Sequence, residues 1–258
     1  MTHRLARKLP LVHLTATDQW DRRMKLTRCV LASILAAFGS PAFADMTANY
    51  VGPNKALTMK VEIAANGDIR GTTSNPNSYF ITRAGHGYMV QASFKGPAVM
   101  RMEDICIVMA EQMKRLMPDM PHGAADQAPS LDLTKGGVVS VRGRKGTAYY
   151  MGKTIKHSAA DQPFIVISVD PALTPLGIAM QHQFAMSVEA MGQIFGKSNP
   201  FAEMQSVLKE GAPLVFTGME LDSVNKDPIP ASEFDLPAAP LPLAEVRKNL
   251  GAPASPTP

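Results

Sequence analysis

Leu57, Met59, Val61 and Ile63 are apolar, and Thr58, Lys60 and Glu62 between them are polar. Strict alternation sends every second side chain to one face, so the pattern predicts a half-buried strand. Asn66-Gly67 follows, two residues that tolerate positive φ, and predicts a hairpin turn. Residues 79–92 repeat the design, with His86 at the turn tip between Gly85 and Gly87. The period then changes. Ile105, Val108, Met109, Gln112, Met113, Leu116 and Met117 recur near helical spacing. Glu103 and Asp104 suit the positive end of that helix, Pro118 stops it, and a loop rich in Pro, Gly and Ala follows.

Strands resume in residues 136–152, read as a hairpin across Gly143 to Gly146. Residues 163–169 form a continuous apolar run, the pattern of a strand covered on both faces. Asp170-Pro171 and Thr174-Pro175 are successive helix starts, each a capping residue followed by proline. Leu176, Met180, Phe184, Val188, Met191 and Phe195 mark one face of a long helix. Asn199-Pro200 opens a shorter helix that ends at Gly211, and residues 213–224 read as a late strand or hairpin. Strands, helix, strands, helices and strands, dominated by hairpins, predict an α+β fold. Its sheet is mainly antiparallel, with helices packed on one face.

The first 44 residues change how the composition is read. Arg22, Arg23, Lys25 and Arg28 precede an apolar run from Cys29 to Phe38, and Ala42-Phe43-Ala44 closes it. A basic segment, a short apolar core and an A-x-A end are the pattern of a secretory signal peptide. The core is roughly 10 residues long, against about 20 for a spanning helix. The expected organisation is a leader and signal peptide over 1–44, cleaved after Ala44, and one α+β domain over 45–240. A Pro/Ala-rich disordered tail over 241–258 completes it. Met24 would itself open a leader of ordinary length. The protein is expected in the periplasm, met by the export machinery, with no membrane anchor after cleavage.

The chain holds 26 basic and 22 acidic residues, a net charge of +4. The leader carries seven of the basic and two of the acidic ones, leaving 19 against 20, or −1. No clustered positive surface for nucleic acid remains, since Arg142, Arg144 and Lys145 read as a solvated hairpin turn. Cys106 is the one cysteine outside the leader, so no internal disulfide forms, and its apolar neighbours predict burial.

One late stretch has a specific look. Gly211, Pro213, Leu214, Gly218, Glu220, Leu221, Val224, Ile229, Pro230, Ser232, Phe234, Leu236 and Pro237 trace a strand that returns across the sheet and is pinned by Phe234. With the signal peptide and the element order, this stretch is similar to the ends of periplasmic proteins of the LolA-like superfamily, lipoprotein carriers among them. The resemblance implies a curved antiparallel sheet, an incomplete barrel closed by helices around an apolar cavity that holds acyl chains.

Candidate chemistry is sparse. Met109, Met113 and Met117 form an i, i+4, i+8 stripe, and Met180 and Met191 lie on the apolar face of the long helix. Methionine is a flexible filler that suits plain core or an adaptable pocket. Thioethers also bind Cu(I), for which Met117, Met120 and His122 would be the set. His86, His122, His157 and His182 show no metal-ligand spacing, and no nucleophile, phosphate-loop or dinucleotide motif is present. Asp170 reads as a helix cap. Tyr79, Phe80, Tyr88, Tyr149 and Tyr150 fall on predicted hairpins, as an open sheet face or as cross-strand packing.

The expectation is a non-enzymatic exported protein without cofactor or metal. It would hold a lipid or other apolar ligand against Met109, Met113, Met117, Met180, Phe184 and Met191. The alternative is a cell-envelope interaction protein with a packed interior and no ligand.

Overall fold

Strand β1 (Met46–Val51) starts in the middle of the sheet, and the chain builds outward from it. The meander β2 (Thr58–Ile63), β3 (Ile69–Thr73), β4 (Ser78–Arg83), β5 (His86–Gln91) and β6 (Ala98–Arg101) runs to one edge. Helix α1 (Met102–Leu116) precedes the opposite edge, where β7 (Leu133–Val141), β8 (Arg144–Met151) and β9 (Ile165–Ser168) lead back inward. Helices α2 (Thr174–Phe195) and α3 (Ala202–Leu208) come next. Strands β10 (Ala212–Phe216) and β11 (Met219–Asn225) then close the gap against β1, and α4 (Leu243–Asn249) ends the fold. The order is β6-β5-β4-β3-β2-β1-β11-β10-β9-β8-β7, an eleven-stranded curved sheet that is not closed into a barrel. All its pairings are antiparallel.

This computed structural model describes residues 45–116, 131–152, 162–195 and 202–251. The leader, its cut site, Met117, Met120, His122 and His157 lie outside the described residues. So do the side chains of Met113 and Met191. Residues 43–258 form one compact unit.

Part of the main core lies between the sheet and α2. Met46, Ala48 and Tyr50 of β1 and Val61 and Ile63 of β2 meet Leu176, Ala179 and Met180 there. The apolar run in β9 is buried at all four positions. Val166 joins the main core, while Ile165 and Ile167 join a second cluster with Tyr149, Met204 and Leu208. Both faces of β9 are therefore covered, as the unbroken apolar run requires. Asp170 caps as expected, its carboxylate accepting from the Ala172 N–H at 2.9 Å.

Three local readings are corrected. His86 opens β5, and the turn before it is Ala84-Gly85, both at positive φ. The β7–β8 turn is Arg142-Gly143, with φ of 48° and 83°, the left-handed pair that a two-residue hairpin needs. The third concerns the expected tail from 241 onward, which contains α4. Val246 is fully buried against α1, and Leu241 N–H bonds Val99 O at 2.8 Å on the outer side of β6. Proline dominates the composition there, yet Leu241, Leu243, Val246 and Leu250 supply enough apolar surface to dock. No helix among the described residues is long and apolar enough to cross a membrane.

Candidate functional site

Register defines two faces in the C-terminal half of the sheet. Val51 pairs with Glu220, Glu220 with Val215, Val215 with Val166 and Val166 with Ala148. Directly opposed residues share a face, so this row crosses five strands on one side. The neighbouring row is Met219, Phe216, Ile165 and Tyr149, and alternation sends it to the other side. That second row meets the helices: the rings of Phe216 and Phe184 of α2 stand edge to face, 6.3 Å apart and 86° inclined.

Val51, Glu220 and Val215 of the first row line a cavity of about 660 Å³. Its apolar walls are Val51, Pro53, Val139, Val141, Tyr150, Pro163 and Val215, and its polar groups include Lys55, Ser140, Arg142, Gln162 and Glu220. The long edge hairpin β7–β8 forms one wall. β7 shifts register between Lys135 and Val138, the stretch occupied by Gly136-Gly137. Gly136 is needed for a second reason, because a Cβ there would lie 2.6 Å from Tyr150 Cε2. The Tyr150 ring thus lies close against bare backbone and reaches the cavity.

Arg142 ties the hairpin tip down. Its Nε donates to Glu220 Oε2 at 3.0 Å, and its guanidinium also binds the Asp222 carboxylate. A hairpin at the sheet edge is so joined to a strand well inside the sheet, with the cavity beneath. The three groups are partly exposed, so the tie positions the hairpin more than it stabilises the fold.

A second polar cluster sits on the helix side. Tyr149 Oη donates to Glu210 Oε2 at 2.6 Å, and Lys135 Nζ donates to the same oxygen at 2.9 Å while lying 5.5 Å from the Tyr149 ring centre. The bond from Tyr149, then that from Lys135, holds the Glu210 carboxyl below its ordinary range. Burial, then the bond to Glu210, pushes the Tyr149 phenol up. A protonated phenol bonded to an ionised carboxylate locks β7 and β8 to the segment after α3.

Met109, Met180 and Phe184 lie away from this cavity. Met180 is 5 % exposed and packs in the main core, Phe184 packs on Phe216, and Met109 is 40 % exposed on α1. None of the three lines the 660 Å³ cavity or the smaller pockets of about 290 and 250 Å³. The physical reason is that flexible thioethers fill the uneven gap between helix and sheet. Met113, Met117 and Met191 have no described side-chain position. The aromatic set divides too: Tyr150 faces the cavity, Tyr149 faces the helix side, and Tyr79 stacks under Arg70 at 4.9 Å. Cys106 is buried, as expected, and burial first and Glu103 second push its thiol up. Among the described residues no three His, Cys, Asp or Glu side chains converge as metal ligands.

Reading the sequence alone missed the cavity wall. Val51 lies on a strand it did not anticipate, and Arg142 was assigned to solvent. The available signal was Gly136-Gly137, a glycine pair inside a strand pattern, which marks a bulge or a close backbone approach. Comparison with protein-family models, with curated proteins and with solved structures finds no match.

Proposed function

We propose that this is an exported, non-enzymatic periplasmic protein that holds an apolar ligand, such as an acyl chain, beneath the β7–β8 hairpin. The sheet acts as an incomplete barrel, its helices on one face and the ligand on the other. The observation that carries the reading is the 660 Å³ cavity with Val51, Val139, Val141, Tyr150 and Val215 in its walls. That volume is ordinary for a small-ligand site, and such sites combine apolar walls with a few polar groups. Lys55, Gln162 and the Arg142–Glu220 pair supply those groups at its rim. The signal-peptide pattern and the resemblance to the LolA-like superfamily support export and carriage.

A second reading is an interaction protein of the cell envelope without a ligand. Its support is the packing of Met180 and Phe184 between α2 and the sheet.

Native mass spectrometry of the chain from a periplasmic extract, followed by titration with palmitate, separates the two. Ligand mass that is lost on denaturation, and palmitate uptake that Val215→Asp abolishes in a folded protein, support carriage. A bare mass and no uptake would establish the packed interaction protein instead.

A further inference from the structure

Antiparallel pairing puts the β1–β2, β3–β4 and β5–β6 loops and the β10–β11 turn at one end of the sheet. The first three are laced side to side. Ser74 N–H bonds Thr58 O at 2.9 Å, and Ala92 N–H bonds Asn77 O at 2.7 Å. At about 4.8 Å per strand, the first and third loops stand roughly 19 Å apart.

These four connections share one chemistry, and Asp132, just before β7, is an acidic residue at the same end. Phe94 at the tip of the β5–β6 loop is fully exposed, and Leu57 in the β1–β2 loop is 46 % exposed. Each has a lysine close by in the same loop, Lys95 and Lys55. The four connections contain no Asp or Glu. The opposite end has Asp68, Asp170 and Asp227 in its connections. Isolated exposed apolar residues are ordinary on a surface. Two of them at loop tips, each beside a cation and with no carboxylate in the same loops, are a selected arrangement. It matches the boundary of a bilayer, where apolar tips enter the acyl layer and lysines meet anionic headgroups. A protein partner's core would instead disfavour lysine beside the anchor.

We propose that the loop end carrying Leu57 and Phe94 docks onto an anionic lipid surface, Phe94 and Leu57 inserting and Lys95 and Lys55 contacting headgroups. Gly52, Pro53 and Lys55 of the β1–β2 loop also line the 660 Å³ cavity, so docking brings the cavity rim to the membrane. The docking holds with or without a ligand inside, and vesicle binding and palmitate uptake are separate readouts.

The test is co-sedimentation of the unit Phe43–Pro258, free of the apolar leader, with vesicles of phosphatidylcholine alone or mixed with phosphatidylglycerol. Binding to the mixed vesicles is expected. Lys55→Ser/Lys95→Ser should weaken it about 30-fold, a roughly fivefold loss per lysine. Leu57→Ser/Phe94→Ser should weaken it more than about tenfold, with both variants melting as the parent does. No sedimentation with mixed vesicles, or equal sedimentation of parent and variants, overturns the proposal. Self-association in the absence of vesicles that Leu57→Ser/Phe94→Ser abolishes would overturn it too, by making a second copy the occupant.

Discussion

Arg142 and Glu220 line one cavity and bind each other, the guanidinium Nε 3.0 Å from the carboxylate Oε2. Arg142 is the first residue of the β7–β8 turn, and Glu220 lies on β11, three places in from β8 in the sheet. The two are brought together by the curl of the hairpin over the row Val51, Glu220, Val215 and Val166. Arg142→Ala should therefore loosen the hairpin without unfolding the protein. Partly exposed pairs contribute about 0–1 kcal/mol, so denaturant midpoints should barely move. Amide exchange in β7 should quicken, and palmitate should leave faster if the cavity holds it. Arg142→Lys should restore little, because a lysine cannot engage Glu220 and Asp222 with a planar fork. A large loss of global stability with unchanged exchange in β7 would contradict this account.

Tyr50 is the buried counterpart of that surface tie. Its hydroxyl donates to Pro213 O at 2.8 Å, linking β1 to β10 across β11. Tyr50→Phe leaves the carbonyl without this donor in a dry place, at a cost of about 1–3 kcal/mol. Burial pushes the Tyr50 phenol far above its ordinary value. The pH consequence follows from proton counting. Above pH ~10 the unfolded chain releases this proton while the folded chain keeps it, so stability present below pH ~10 declines as pH rises further. Equilibrium unfolding at pH 8 and pH 11 should show a smaller alkaline loss for Tyr50→Phe than for the parent. An equal loss in both would assign the alkaline decline to other groups.

Gly71 and Phe80 are cross-strand partners on β3 and β4. A Cβ at Gly71 would sit 1.8 Å from the Phe80 ring, which lies over the glycine. Gly71→Ala should force the ring aside and cost about 1–3 kcal/mol, the range for overpacking. Phe80→Ala removes the obstacle, so Gly71→Ala in that background should be close to neutral. The double-mutant cycle then gives a coupling of at least about 0.5 kcal/mol. Additive losses would show that the ring has room to move.

The alternating and helical periods made most of this fold legible. The β2–β3 and β10–β11 hairpins and α1 and α2 follow from them, because each element has one face in a core. β1 was not legible: its alternation is carried by Met46, Ala48 and Tyr50 against Thr47 and Asn49, a short run directly beside the expected cut site. The cavity was hidden for another reason. It arises from the curl of a bulged edge hairpin, and periodicity says which residues share a strand face but not how far the sheet bends. Methionine by itself is a weak marker, because its side chain serves helix–sheet packing as readily as a pocket.

The C-terminal segment shows the same limit, and it carries the last prediction. Proline and alanine suggested disorder, yet Arg247 grips Glu111 with two bonds, Nε at 3.0 Å and Nη2 at 2.7 Å, and Gln112 donates to Leu250 O at 3.0 Å. Val246 between them is fully buried on Ile105 and Val108 of α1. Leu241 N–H on Val99 O occupies part of the outer backbone of β6, an edge strand that would otherwise invite pairing with another chain. Val246→Ala should cost about 2 kcal/mol through the cavity it leaves. Deleting residues 241–258 should cost more and also promote concentration-dependent association through the bared β6 edge. Light scattering and denaturation of the two variants separate the effects: Val246→Ala should lower stability while staying monodisperse. If the deletion is as stable and as monodisperse as the parent, α4 is an ornament on the fold and the β6 edge is protected by its short length alone.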